Sequence, residues 1–166
     1  MSLDNILLPD TVLQALYSKS LYDLETNKSV LDNIQLESIN FLGNNQKKIT
    51  ILVNSESVIY LSDDELNFLL GILTACKLSM EDISLVNLYN NPGLNYSLIT
   101  EQFKAEKVFL FGLTPVEIAL PLQFPHYQVQ QFNNQIYLSS VSLNELQANK
   151  DEKMKLWNCL KKIFSI

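Results

Sequence analysis

The run "KVFLFG" at residues 107–112 constrains the fold of this chain most strongly. Residues 108–111 are all apolar, and Gly112 closes the run. A strand that is apolar on both faces has to be covered on both sides, which is typical of the central strands of parallel sheets. The run therefore predicts a central strand between two layers of helices.

Strand and helix patterns alternate along the rest of the chain. Strands are predicted at 49–53 ("ITILV"), 83–88, 127–132 and 134–140, and helices after Ser62, over 94–104, after Thr114 and over 143–164. Asn133-Asn134 predicts either a tight hairpin turn or a step between two strands. We expect one three-layer α/β/α domain over residues 25–166, with a mostly parallel central sheet. Residues 1–24 form a separate N-terminal segment.

The helix after Ser62 has a clear start signal. Ser62 with Glu65 forms a capping box, and Asp63 and Asp64 suit the positive end of a helix. These acids could also be interpreted as a metal cluster, but the helix start explains them better. The apolar face should be well buried, and it consists of Leu66, Leu69, Leu70, Leu73 and Cys76, widened by Phe68 and Ile72.

The stretch "LNELQANKDEKMKLWNCLKKIF", residues 143–164, is predicted as a C-terminal helix packed on the sheet. Asn149 can cap it, and Glu152 three residues later would complete a capping box. The predicted apolar face consists of Met154, Trp157, Leu160 and Phe164. Trp157, the only tryptophan of the chain, is its predicted anchor.

Charge and cysteine content disfavour several classes of function. The chain has 12 basic residues, all of them lysine, against 18 acidic residues, and its net charge is −6. Arginine is the preferred side chain for phosphate and for guanine edges, so direct nucleic-acid binding is expected to be weak or absent. Cys76 and Cys159 are predicted to be buried thiols, and with one histidine they cannot supply a four-ligand zinc set.

The sequence predicts neither a phosphate-binding loop nor a membrane span. Its four glycines are scattered, so neither a dinucleotide-binding nor a P-loop motif occurs, and we expect no cofactor. No apolar run approaches the roughly 18 residues of a transmembrane helix. The start "MSLDNILLPD" lacks a basic region, so we expect a cytoplasmic protein without a secretory signal.

The only histidine, His126, could be a general base or a simple loop residue. No serine or cysteine nucleophile motif accompanies it, so we favour the loop interpretation. Gly112 is the other position of interest, because ligands of open α/β sheets bind at the carboxyl ends of strands.

One set of residues carries a resemblance to a known family. The set is Ser140, Leu143, Glu145, Leu146, Ala148, Asn149, Lys153, Leu156, Trp157 and Leu160. It resembles the C-terminal region of the psi subunit of the bacterial DNA polymerase III clamp-loader complex. More loosely, it is similar to the end of uracil-DNA glycosylases, with which psi proteins are understood to share an α/β fold. The resemblance implies a uracil-DNA glycosylase-like fold.

Departures from the glycosylase pattern imply that the chemistry is lost. The loop after the first core strand, "NSES" at residues 54–57, lacks the expected glycine and proline. Ser142 and Leu143 stand where the motif histidine and proline would be. Asn54 or Glu56 could position a water molecule, but Ser142 cannot provide a cationic imidazole to stabilise a leaving base.

The resemblance therefore implies a bridging subunit without catalytic activity. A docking segment within residues 3–24 would bind the clamp-loader collar, and the folded domain would carry a chi-like subunit. The anchors of the segment would be Leu13, Leu16, Tyr17, Leu21 and Tyr22, unless they pack on the chain's own sheet. Two alternatives stay open: a glycosylase-superfamily enzyme with an altered site near Asn54, Glu56, Gly112 and Ser142, or an unrelated scaffold with the same fold.

Overall fold

Six strands form one mixed sheet whose four central strands are parallel. They are β1 (Phe41–Leu42), β2 (Ile49–Val53), β3 (Ile83–Asn87), β4 (Lys107–Phe111), β5 (Gln130–Phe132) and β6 (Gln135–Ser140). Their order across the sheet is β1-β3-β2-β4-β6-β5, and the two edge strands run antiparallel to their neighbours. The predicted α/β class and mostly parallel sheet are confirmed.

The computed structural model of the chain describes residues 38–166. Residues 39–166 belong to one compact unit. The predicted boundary at residue 25 and the five docking anchors, Leu13, Leu16, Tyr17, Leu21 and Tyr22, lie outside the described residues. Within residues 38–166, no helix has the length and apolar character that crossing a membrane requires.

Within residues 38–166, four helices cover the two faces of the sheet. They are α1 (Asp63–Ala75), α2 (Tyr96–Phe103), α3 (Leu143–Ala148) and α4 (Lys150–Phe164). Buried side chains of α1, α3 and α4 form one core cluster with one face of the sheet. On the other face, α2 and residues 113–124 form a second cluster. The central strands are thus covered on both sides, as their continuous apolar character predicts.

The start of α1 is confirmed, and its predicted burial is confirmed only in part. The Glu65 amide donates to Ser62 Oγ (3.4 Å), and the Ser62 amide donates to the Glu65 carboxylate (3.3 Å), which completes the capping box. Leu69 and Leu73 are buried, whereas Leu70 is 36% exposed and Phe68 is only half-buried. The apolar surface of α1 is wider than the strip that the sheet covers.

The turn at Asn133-Asn134 is a hairpin and not a step between strands. Both residues have positive φ, 50° and 61°, and β5 pairs antiparallel with β6 on either side of them. Two central residues with positive φ are typical of a type I′ turn, in which asparagine is favoured.

The predicted C-terminal helix is in fact two helices. Asn149 is extended (φ −119°, ψ 115°) and separates α3 from α4. Its side chain accepts hydrogen bonds from the amides of Asp151 (2.9 Å) and Glu152 (3.4 Å), so it caps α4 as predicted. The Glu152 carboxylate does not complete a capping box but pairs with Lys155 at 2.7 Å.

The apolar face predicted for this region is confirmed only in part. Leu156, Cys159 and Leu160 are the buried residues of α4, whereas Met154 is 52% exposed and Trp157 is half-buried. Because the chain is extended at Asn149, the orientation of α4 about its axis is independent of that of α3. Packing against the sheet, and not one continuous helical pattern, therefore determines which side chains of α4 are buried. Both cysteines are free and buried, as predicted.

Candidate functional site at the carboxyl edge of the sheet

Four parallel strands end at one edge of the sheet, and the predicted site residues follow three of them. Asn54 and Glu56 follow β2, Gly112 follows β4, and Ser142 lies two residues after β6. The chain leaves β2 toward β3 and later crosses to β4 on the other side, so the topological switch point lies between β2 and β4. Ligands of open α/β sheets bind at such points.

Gly112 and Ser142 close the edge between β4 and β6. Gly112 has φ +67°, and its amide donates to the Ser140 carbonyl (3.0 Å). A Cβ at position 112 would lie 3.1 Å from Ser142 Cβ and 3.2 Å from its Cα. The two backbones approach this closely because residue 112 has no side chain. Little room is left between them for a ligand.

The Ser142 hydroxyl has a structural partner. Ser142 is the N-cap of α3, and its Oγ accepts a hydrogen bond from the Glu145 amide (3.3 Å). An N-cap side chain satisfies one of the free amides at the start of a helix. The side chain of Ser142 therefore stabilises a helix.

The loop that carries Asn54 and Glu56 is held by a buried amide. Asn87, at the end of β3, is fully buried. Its Oδ1 accepts from the Ser55 amide (3.0 Å), and its Nδ2 donates to the carbonyls of Ser55 (2.8 Å) and Val58 (3.1 Å). These bonds fix the loop, while the side chains of Asn54 and Glu56 remain exposed.

A shallow depression of about 760 Å³ lies beside Glu56. Residues from β1, from the loop after β2 and from the turn after β3 line it, including Asn40, Tyr60 and Asn90. Neither Gly112 nor Ser142 belongs to this lining. The structure therefore places the predicted residues at one edge of the sheet but does not bring them together around one cavity.

His126 lies in a loop, as predicted, and is attached to the end of β6. Its Nδ1 is 2.8 Å from Ser139 Oγ, and Ser139 Oγ donates to the Leu113 carbonyl (2.8 Å). A hydroxyl has one hydrogen, so this network assigns the Nδ1–H of His126 as the donor to Ser139. The Ser139 proton points away from the imidazole, an arrangement that does not activate a serine nucleophile.

A polar cluster around Tyr127 follows the histidine. Burial raises the pKa of Tyr127, and its hydrogen bond to Glu152 raises it further. The hydrogen bond from Lys155 and then that from Tyr127 lower the pKa of Glu152. Cys159 Sγ donates to the Tyr127 carbonyl (3.1 Å), and burial raises the pKa of this thiol. The cluster holds the loop against α4 and leaves the cysteine protonated and unreactive.

No three histidine, cysteine or carboxylate side chains of residues 38–166 converge in a way that could hold a metal ion. Asp63, Asp64 and Glu65 occupy the first turn of α1, and the Glu65 carboxylate accepts from the Ser62 hydroxyl at 2.8 Å.

Sequence reasoning missed the residues that hold this edge together. Asn87, Ser139 and Ser140 are polar residues at the ends of otherwise apolar strands, and all three are buried. A polar side chain that closes an apolar strand was the signal available, because a buried polar group has to find a partner. Gln135 is a buried polar residue at the other end of β6, where its Oε1 accepts from the Tyr137 hydroxyl at 2.7 Å.

No known protein-family model matches the chain, and no curated protein sequence matches it significantly.

Proposed function

We propose that this chain is a non-catalytic accessory subunit of a bacterial replicase, similar to the psi subunit of the clamp-loader complex, on a uracil-DNA glycosylase-like fold. One observation carries the proposal most directly. Ser142, at the position of the glycosylase histidine, caps α3 and packs against Gly112. The motif retains its structural contacts in the absence of the catalytic group.

The three-layer architecture supports the proposed fold. A mostly parallel sheet with helices on both faces is the arrangement that the resemblance implies. The exposed positions of Asn54 and Glu56 support the same function, because a glycosylase needs its water-positioning group inside the pocket that holds the flipped base.

Charge supports a protein partner over a nucleic-acid partner. A chain with net charge −6 and no arginine lacks the basic surface that supplies most of the affinity for phosphate backbones. In the proposed assembly, residues 1–24 dock on clamp-loader subunits and the folded domain carries a chi-like subunit.

Direct binding tests the bridging role. The purified full chain should bind immobilised clamp-loader subunits, and a variant that lacks residues 1–24 should lose this binding. Circular dichroism of the truncated variant should retain the spectrum of a folded α/β domain. Undiminished binding by the truncated chain would show that residues 1–24 are not the docking segment, and no binding by the full chain would contradict the proposed function.

Uracil release tests the enzyme alternative. The full chain should release no uracil from a single-stranded oligonucleotide that contains deoxyuridine. Release that stops in Glu56→Ala, but continues in the matched surface variant Glu101→Ala on α2, would instead identify a glycosylase with an altered site.

A further inference from the structure

The surplus apolar surface of α1 continues into a groove between α1 and α4. The groove has a volume of about 360 Å³. Phe68 and Ile72 of α1 and Leu156 and Leu160 of α4 form its floor, and the half-buried Trp157 stands at its side. Phe68, Ile72 and Trp157 thus expose apolar surface that the sheet does not cover.

Gly71 opens the groove at its centre. It lies in the middle of α1 and lines the groove, and a Cβ built on it would meet nothing within 4 Å. Glycine inside a helix destabilises it relative to alanine. Neither positive φ nor a close contact requires glycine at this position, so its visible effect is to let another backbone approach the groove.

One lysine of α4 lines the groove, and a second follows it along the same helix. Lys153 lines it, with Nζ 5.4 Å from the centre of the Phe68 ring. Lys161 lies two turns further on, four residues after Trp157, and therefore on the same stripe of the helix. Neither lysine is part of an ion pair within residues 38–166.

We propose that this groove binds an amphipathic helix of a partner protein, whose apolar side chains fill the floor and whose flanking carboxylates pair with Lys153 and Lys161. A helix in a groove is a common mode of recognition, anchored by side chains one turn apart. The lysines disfavour a second copy of this chain as occupant, because a two-fold contact would bring the same cations toward each other. The inference rests on the bridging element of the proposed function and assigns a surface to it.

The position of the only tryptophan makes binding directly measurable. The probe is a tryptophan-free helical peptide of about 18 residues, roughly 27 Å long, with leucines at i, i+3, i+4 and i+7 and flanking glutamates. Its control is the same peptide with lysine in place of glutamate. Titration into the full chain should shift Trp157 fluorescence to the blue and saturate, with affinity about tenfold higher for the acidic peptide.

Matched variants locate the binding. Gly71→Ala fills the groove and should weaken the acidic peptide at least about tenfold, and since alanine favours the helix, unfolding cannot explain that loss. Lys153→Glu should reverse the preference between the two peptides. Lys155→Glu, on another face of the same helix and paired with Glu152, should leave both affinities unchanged.

Three results would overturn the inference: no fluorescence change, equal affinity for the two peptides, or undiminished binding by Gly71→Ala. A concentration-dependent dimer in sedimentation that Gly71→Ala dissociates would assign the groove to a second copy instead. The peptide assay uses no clamp-loader subunit. Peptide binding without clamp-loader binding would therefore contradict the proposed function alone, and the reverse pair of results would contradict the groove alone.

Discussion

Replacing Gly112 by alanine should destabilise the domain by about 2–3 kcal/mol. The left-handed backbone at this position, with φ +67°, costs a residue with a side chain about 1–2 kcal/mol. The new Cβ would also lie 3.1 Å from Ser142 Cβ and 3.2 Å from its Cα. Relieving such a contact in a packed region adds about 1 kcal/mol.

The other glycines separate backbone strain from close contact. Gly93 has φ +84°, but a Cβ there would meet nothing within 4 Å, so Gly93→Ala should cost the backbone term alone. Gly71 has neither constraint, and Gly71→Ala should stabilise the domain by up to about 1 kcal/mol. One substitution at three positions therefore predicts a ranking: Gly112→Ala is least stable, then Gly93→Ala, then the unchanged chain, then Gly71→Ala.

Urea unfolding followed by circular dichroism measures this ranking at 25 °C. Adding Ser142→Gly to Gly112→Ala removes the contact with Ser142 Cβ but not the one with its Cα, so it should recover part of the cost of the contact. Glycine at an N-cap itself costs only a few tenths of a kcal/mol. If Gly112→Ala proves no less stable than Gly93→Ala, the backbones at Gly112 and Ser142 are not in close contact. The edge between β4 and β6 could then admit a ligand, and the reasoning for a non-catalytic domain would lose its main support.

Three further predictions concern buried or paired polar groups. Asn87→Ala should cost about 2–3 kcal/mol, because it leaves buried backbone groups unpaired, and it should speed amide hydrogen exchange over residues 54–61. The hydrogen bond from the Ser79 amide, together with that from Lys47, lowers the pKa of Asp82 below its ordinary 3.8. The carboxylate therefore stabilises the fold at neutral pH, and this stabilisation is lost as pH falls below about 3.8. Acid titration of Asp82→Asn should accordingly show a flatter loss of stability than the unchanged chain. Burial raises the pKa of Tyr137 from 10 to about 12. The protonated hydroxyl therefore contributes its full stabilisation of the fold below pH 10, and this stabilisation is lost as pH rises toward 12. Alkaline unfolding of Tyr137→Phe should lack this loss of stability.

Sequence patterns predict this fold well wherever the determinant is local. The capping box at Ser62 depends on a few adjacent residues and is confirmed. The pair Asn133-Asn134 predicted either a hairpin or a step between strands, and the structure has the hairpin. The apolar run 108–111 is nearly as informative, because only a covered strand can hold four apolar residues in succession. The α/β class follows from such signals.

Long-range packing explains what the sequence does not predict. Which side of α4 faces the sheet depends on how the helix packs after the break at Asn149. The apolar face predicted from the spacing of Met154 and Trp157 therefore contains side chains that are exposed or half-buried. Asn87 holds a loop that starts 32 residues earlier, and His126 finds Ser139 across the fold. No local pattern specifies these pairs, although the burial of a polar strand end could have indicated that a partner exists.

Two glycines bear on where the proposed binding surface of this domain lies. At Gly112 the missing side chain allows a close contact, and the carboxyl edge of the sheet gains stability at the place where an enzyme of this architecture would keep a cavity. At Gly71 an added side-chain carbon would meet nothing within the described residues, and the glycine costs the helix stability beside the half-buried Trp157. A close contact that leaves no cavity, as at Gly112, favours a structural role for that edge of the sheet. A glycine that destabilises a helix but leaves a groove open, as at Gly71, favours a binding surface. The two positions together favour a domain that binds other proteins along α1 and α4 over one that performs chemistry at the end of β4.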